Sequence, residues 1–102
     1  MRIIKRSRIN EWAKEYEDAA NALYAWYQVA GRAVWRNLQE VRRDFPHADG
    51  VVVRSGRTVT VFNIRGGNYR MITAIHYNTQ RVYLLRFLAH RQYDSDRWKR
   101  EL

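Results

Sequence analysis

The chain has 102 residues, with 19 Lys and Arg against 10 Asp and Glu, a formal charge of +9 and no cysteine. That length suits one domain over residues 1–102 with a single modest core, and without cysteine there are neither disulfide staples nor thiolate metal sites. No apolar run approaches the roughly 20 residues of a membrane span, Met1–Ser7 lacks the apolar stretch of a secretory leader, and a cytoplasmic protein without membrane contact is expected.

Met1–Lys5 reads as a short strand, because Ile3 and Ile4 supply β-branched residues between basic neighbours. Ser7 is the expected N-cap of a helix in which Ile9, Trp12, Ala13 and Tyr16 fall on one face. Asp18 is the expected cap of a second helix carrying the stripe Ala19, Leu23, Trp26, Tyr27 and Ala30, and Gly31 sits where it could end or bend. The short break between them predicts an αα-hairpin. Asn37–Phe45 reads as a further short helix, with Asn37 as cap and Glu40 three residues on, stopped by Pro46.

From Val51 the period of the pattern changes from 3.6 to 2. Val59, Val61 and Asn63 alternate with Thr58, Thr60, Phe62 and Ile64, and Ser55-Gly56 offers a small hairpin upstream. Arg65-Gly66-Gly67-Asn68 is a strong turn signal, since glycine accepts the positive φ that hairpin turns demand. Tyr69–Tyr77 is the next strand, Asn78-Thr79 the next turn, and Gln80–His90 a long strand with the apolar run Val82-Tyr83-Leu84-Leu85. The polar tail Asp94–Leu102 is expected to be helical or frayed. The fold class is therefore α+β: a two-layer arrangement in the order β-α-α-β-β-β, a helix pair packed on an antiparallel sheet, and a short C-terminal tail.

Sixteen of the nineteen basic residues are arginine, and Lys5, Lys14 and Lys99 are the lysines. The planar guanidinium grips phosphate with two parallel bonds and stacks on bases, so this bias points to a nucleic acid. There is no phosphate-binding loop and no HExxH, the acids are few and mostly helical, and His47, His76 and His90 are scattered. A nuclease with two metals held by clustered carboxylates is not expected. Neither is a cofactor.

One arrangement suits metal-free phosphodiester chemistry. The last strand runs back from the Asn78-Thr79 turn and ends beside the glycine turn, with His90 opposite residues 67 or 68. Arg65, Asn68, Arg70, Arg86, His90 and Arg91 are thus expected to converge, with Tyr93 just beyond. An imidazole can move a proton near neutral pH, and guanidiniums can hold a phosphate and neutralise the charge of a pentavalent transition state. RNA supplies its own nucleophile when the 2′-hydroxyl attacks the neighbouring phosphate. A two-residue turn at Asn78-Thr79 pairs Arg70 with Phe87 and sends it to the face away from Arg86 and His90. The site therefore requires a register shift of one, from a bulge or a longer loop, which the sequence does not decide.

Other prominent residues have structural readings. His76 and His47 are expected to be a packing or edge histidine and an inert loop residue. Trp12, Trp26 and Trp35 belong to the core, and Trp98, in a charged tail, is the aromatic expected to meet a partner. Arg86 lies within the apolar run Leu84–Leu88, where it either pairs with an acid or, as favoured here, lines a cavity.

Val61-Phe62-Asn63-Ile64-Arg65-Gly66-Gly67-Asn68-Tyr69-Arg70, followed by Ala89-His90-Arg91-Gln92-Tyr93-Asp94, resembles the HigB toxins of bacterial toxin–antitoxin modules. Ala25-Trp26-Tyr27 and Phe45-Pro46-His47-Ala48-Asp49 are similar to the same family, so the likeness covers nearly the whole chain. The resemblance implies a RelE-like fold and an mRNA endonuclease acting on translated messages in the ribosome, by 2′-hydroxyl attack that leaves a 2′,3′-cyclic phosphate. It implies neutralisation by a helix-turn-helix antitoxin of the HigA type. It further implies that Arg70 binds the scissile phosphate, His90 transfers the proton and Tyr93 stacks on or orients the nucleotide. Arg86 joins them by position, and Arg65, Asn68 and Arg91 are the expected RNA contacts. Relatives with several active-site lysines find no counterpart here, because no lysine lies between Lys14 and Lys99, so arginine must carry the phosphate chemistry. Two other readings fit the same basic face: a non-catalytic RNA- or DNA-binding module, and a degenerate toxin that only binds its antitoxin.

Overall fold

A short strand, β1 (Arg2–Ile4), leads into helix α1 (Ser7–Glu15), a 3-10 turn at Glu17–Ala19 and helix α2 (Ala20–Arg32). Helix α3 (Leu38–Asp44) precedes four strands, β2 (Asp49–Val52), β3 (Thr58–Ile64), β4 (Tyr69–His76) and β5 (Arg81–Ala89). Two short helices follow, α4 (His90–Asp94) and α5 (Arg97–Glu101), and the computed structural model describes residues 1–102 throughout. The class is α+β, as the change of period predicts. No helix is long and apolar enough to cross a membrane.

The sheet order is β1-β5-β4-β3-β2. β2 to β5 form an antiparallel meander, and β1 adds to the free side of β5 in parallel, with Ile3 opposite Val82. The hairpin suggested by Ser55-Gly56 is present and creates β2, whose Val51 faces Val59. A parallel partner for the last strand was not visible in the sequence, since only long-range packing brings residues 2–4 beside residues 81–83.

The apolar stripes of α1 and α2 lie against one face of this sheet. Ile9, Ala13, Leu23, Trp26 and Ala30 are buried with Phe62, Met71, Leu84 and Phe87. Complete burial of each large apolar side chain stabilises the fold by about 1.5–3 kcal/mol, before the entropy of ordering it is counted. Trp26 and Phe62 meet edge to face at 5.3 Å, and Trp35 stacks on Phe62 at 6.2 Å, so these tryptophans belong to the core as expected.

The tail covers the opposite face. Val53, Val59, Val61 and Ile72 are buried there beneath Trp98, with Leu88, Tyr93 and Leu102 packed at the margin. The indole Nε1 of Trp98 donates to the Tyr93 carbonyl at 3.0 Å, and the amide of Arg54 donates to the Lys99 carbonyl at 3.0 Å. Trp98 is 3% exposed, so the expectation that it meets a partner is corrected. The reason is the apolar side of β3 and β4, which would otherwise face water.

Two caps also differ from expectation. Arg6, not Ser7, occupies the N-cap of α1, after Lys5 takes a left-handed φ of 62°. Asp18 lies in the 3-10 turn and does not cap α2; its carboxylate accepts from Arg65 Nη1 at 2.8 Å and from the Tyr69 hydroxyl at 2.7 Å. Asn37 behaves as expected, accepting from the Glu40 amide at 3.0 Å, while Glu40 accepts from the Arg36 amide at 2.8 Å.

Candidate active site

Register decides which face Arg70 occupies. Near the turn, His76 pairs with Arg81 and Ala74 with Tyr83, the register of a two-residue loop at Asn78-Thr79. Thr73 then pairs with Leu84 but Ile72 with Arg86, so Leu85 is an extra residue in β5. Beyond that bulge Arg70 stands opposite Leu88, not Phe87. This is the shift of one that the site requires. It places Arg70, Ile72, Arg86 and Leu88 on the face covered by the tail, with Arg70 and Arg86 as diagonal neighbours roughly 7–8 Å apart across the ladder.

An arginine that the sequence reading missed secures this bulge. β1 ends opposite Tyr83, leaving the next carbonyls of β5 without a strand to pair with. Arg8, in the first turn of α1, donates from Nη1 to the Leu84 carbonyl at 2.7 Å and to the Leu85 carbonyl at 2.9 Å. Arg86 Nη1 donates to the same Leu85 oxygen at 2.9 Å. Arg8 thus does for two residues what a longer β1 would have done. Its signal in the sequence was absent, because the pair spans 76 residues.

The glycine turn shapes the next part. Arg65, Gly66 and Gly67 all have positive φ, 54°, 64° and 103°. Arg65 bears the cost of a left-handed non-glycine residue while its guanidinium is tied to Asp18. A Cβ on Gly67 would lie 3.4 Å from Arg70 Nη1, because the Arg70 side chain curls back to donate to the Gly67 carbonyl at 2.5 Å and the Tyr69 carbonyl at 3.3 Å. The Arg70 guanidinium also lies over the Tyr93 ring, 5.4 Å from its centroid. Tyr93 in turn stacks on Trp98 at 5.3 Å, which fixes its plane. Burial raises the Tyr93 phenol above its ordinary pKa, with the Asp49 charge adding to the rise and Lys99 opposing it.

His90 opens α4 directly after β5 ends. Its amide donates to the Asn68 carbonyl at 3.0 Å, which sets it beside the glycine turn at the position expected. Its imidazole Nε2 lies 2.9 Å from Asp94 Oδ2, both half exposed, one helical turn apart. Asp94 was a residue of the recognised motif but was given no role; the i, i+4 spacing was its signal, hidden while residue 90 was read as strand. Asn68 is exposed at the turn. Arg86 is half-buried and meets no carboxylate, and its Nη1 is spent on the Leu85 carbonyl.

Arg70, Tyr93 and the β5 end at His90 are therefore gathered at one corner, with Arg86 on the same face. Arg91 lies on the exposed side of α4 in an open groove that continues toward α5. Arg65 turns to the opposite side, toward the helix pair, where its charge is matched by Asp18. The ion pairs of the chain engage Arg36, Arg42, Arg65, His90 and Lys99, which leaves Arg70, Arg86 and Arg91 free for an anion. No three His, Asp or Glu side chains stand close enough together to hold a metal ion.

Comparison with known proteins gives two findings. The family description "HigB_toxin, RelE-like toxic component of a toxin-antitoxin system" matches residues 19–96. The chain is 29% identical over 95 residues to the mRNA interferase HigB of Escherichia coli O6:H1 (strain CFT073), covering 93% of this chain and 90% of that protein. The matched span includes the glycine turn, Arg70, Arg86, His90, Tyr93 and Asp94, and stops short of Arg97 and Trp98.

Proposed function

Because the chain belongs to the HigB toxin family, the RelE-like toxic component of toxin–antitoxin systems, we propose that it is a ribosome-dependent mRNA endonuclease that cuts by 2′-hydroxyl attack. The observation that carries this reading is the Arg70–Tyr93 corner: a guanidinium free of carboxylates, laid on an aromatic ring, at the end of the sheet where the His90 backbone joins the glycine turn at Asn68. Phosphoryl chemistry of this kind rests on positioning and charge stabilisation. Arg70 takes the scissile phosphate in a fork that lysine cannot reproduce. Tyr93, kept as a neutral phenol, presents its rim to the nucleotide.

His90 carries the proton transfer, with Asp94 holding its ring. The proton leaves the 2′-hydroxyl as the O2′–P bond forms, and a proton reaches the 5′ oxygen as the P–O5′ bond breaks. The products are a 2′,3′-cyclic phosphate and a 5′-hydroxyl. Arg86 adds positive charge behind the phosphate, while Asn68 and Arg91 contact the flanking strand. Arg65, bound to Asp18, is left with a weaker part in RNA contact. The partner that silences the protein is an antitoxin of the HigA helix-turn-helix type, and the reaction takes place in the cytoplasm, where messages are translated.

Induction of the protein followed by mapping of 5′ ends across cellular mRNA tests this reading. Cuts within translated regions should accompany growth arrest, and both should vanish in Arg70→Ala and His90→Gln and on co-expression of a cognate HigA-type antitoxin. Arrest with intact messages discards the nuclease reading. Graded loss of RNA affinity with each arginine removed, without any cutting by the parent protein, would instead favour a plain binding module.

A further inference from the structure

A groove runs along the tail face from the Arg70 corner toward the end of the chain, enclosing about 420 Å³ between α4 and α5. Its floor is Leu88, the cross-strand partner of Arg70, and the edge of Trp98. Its rim carries Arg91, Gln92, Ser95 and Arg97, with Glu101 at the far side. The basic groups here are free. Neither Arg91 nor Arg97 meets a carboxylate, although Lys99 nearby is paired with Asp96 at 3.0 Å. The Gln92 side chain spends its oxygen on the Ala89 amide at 3.1 Å, which turns the amide nitrogen outward as a donor. Ser95 is used internally, donating to the Gln92 carbonyl at 2.7 Å and thereby fixing the corner between the two helices.

The groove is rigid for a surface feature of so short a segment. Asp96 takes a left-handed φ of 60° to make the bend, and the backbone of α5 is held to the loop after β2 through Arg54 and Lys99. The buried indole of Trp98 anchors it from below. Free guanidiniums beside an apolar side chain, with a donor and a carboxylate on the rim, combine what a nucleotide needs: charge for phosphate, an apolar contact for the base, and polar groups for its edge.

We propose that this groove is a nucleotide subsite that holds single-stranded RNA immediately beside the linkage broken at Arg70. Arg91 and Arg97 take the backbone phosphate, and the base lies against Leu88 with Gln92 and Glu101 at its edge. The inference rests on the proposed nuclease function but adds to it a site for the flanking nucleotide, in part beyond the residues that match the family description. Other grooves that carry arginine lie away from the cut: Arg2 and Arg6 line one with Ile3, Ile4 and Tyr27 beside β1, at the far end of β5 from Arg70, and Arg32 lines one near the end of α2.

The test uses the full chain and a short RNA made uncleavable by a 2′-deoxy nucleotide at the cut, so that binding is read without turnover. The double variant Arg91→Gln/Arg97→Gln is expected to bind at least tenfold more weakly at low salt and to show a shallower dependence of affinity on salt, by about 0.7 in log–log slope for each phosphate no longer neutralised. The charge-matched control Arg32→Gln/Arg43→Gln should bind like the parent. Glu101→Gln should alter the ranking of the four bases placed beside the cut. Equal weakening by both double variants overturns the subsite, because the groove is then only part of a diffuse positive surface. An unchanged base ranking in Glu101→Gln together with unchanged affinity in the first double variant overturns it as well. Should the parent bind this RNA through the groove yet leave an all-ribose message intact during translation on ribosomes, the subsite stands and the nuclease reading falls.

Discussion

The guanidinium of Arg70 lies over the ring of Tyr93, its Cζ 5.4 Å from the centroid, while Nη1 reaches back to the carbonyl of Gly67. Nη1 is engaged by the Gly67 and Tyr69 carbonyls, while Nη2 and Nε donate to no group of the protein. Arg70→Ala should lower single-turnover cleavage by about 10²–10³-fold, the usual cost of losing one donor to a developing oxyanion. Arg70→Lys should recover little, because an ammonium cannot make the two parallel bonds. Far-ultraviolet circular dichroism should show an intact fold in both. Activity within a few-fold of the parent in Arg70→Ala would remove this residue from the site.

Arg8 and the bulge at Leu85 lead to a different expectation. Arg8→Met leaves the Leu84 carbonyl without this donor and the Leu85 carbonyl with Arg86 alone, and should cost about 1–3 kcal/mol in denaturant unfolding. Since the bulge sets the face of Arg70, cleavage should fall in the still-folded protein, through turnover more than through RNA affinity. Arg8→Lys should restore part of both, as an ammonium can reach one carbonyl. A variant that loses stability but keeps full turnover would show that the bulge holds itself.

Trp98→Ala probes the tail as a structural layer. Removing a nearly buried indole from the Val59, Val61 and Ile72 cluster should destabilise by about 3–5 kcal/mol. For a chain of this size that lowers the melting temperature by more than about 10 °C. Thermal melting within 2–3 °C of the parent (about the effect expected of a surface change) would mean that the tail does not cover the sheet in solution.

Alkaline pH acts on the tyrosines. Burial raises Tyr16, Tyr77 and Tyr93, and the hydrogen bond to Asp18 raises Tyr69. In each the folded state favours the neutral phenol, so the folded chain binds more protons than the unfolded one above the ordinary value of about 10. Stability is therefore fully present below pH 10 or so and is lost as pH rises through the folded-state values. Tyrosinate absorbance should lag behind that of the unfolded chain and then rise with loss of the folded signal. Asp18→Asn should let Tyr69 ionise earlier. Titration of all tyrosines at the free value, with the fold intact, would contradict these environments.

What the sequence revealed and what it hid follow from the range of each interaction. Asn37 and Glu40 act within one helical turn, and their cap is as read. The stripe Leu23, Trp26, Ala30 and the alternation through β3 are periodic, so their buried faces were legible too. Ser7 and Asp18 had good cap chemistry, but Asp18 finds Arg65 and Tyr69, about fifty residues away, and that long-range pairing wins. Trp98 stood among charged neighbours and gave no sign that a sheet face awaited cover. The one-residue shift in β5 was recognised as a requirement of the site, yet its location at Leu85 depends on Arg8, which no local pattern connects to it. The candidate site residues were proposed from turn geometry and motif together. The carboxylate of Asp94 on His90 was missed because the strand was carried one residue too far.

The chemistry of the cut ends tests the central claim most directly. A message translated on purified ribosomes in the presence of the protein should yield 5′-hydroxyl and 2′,3′-cyclic phosphate ends, and the same message with a 2′-deoxy nucleotide at the cut should stay whole there. Cleavage of the deoxy linkage, or products ending in a 3′-hydroxyl, would contradict the account.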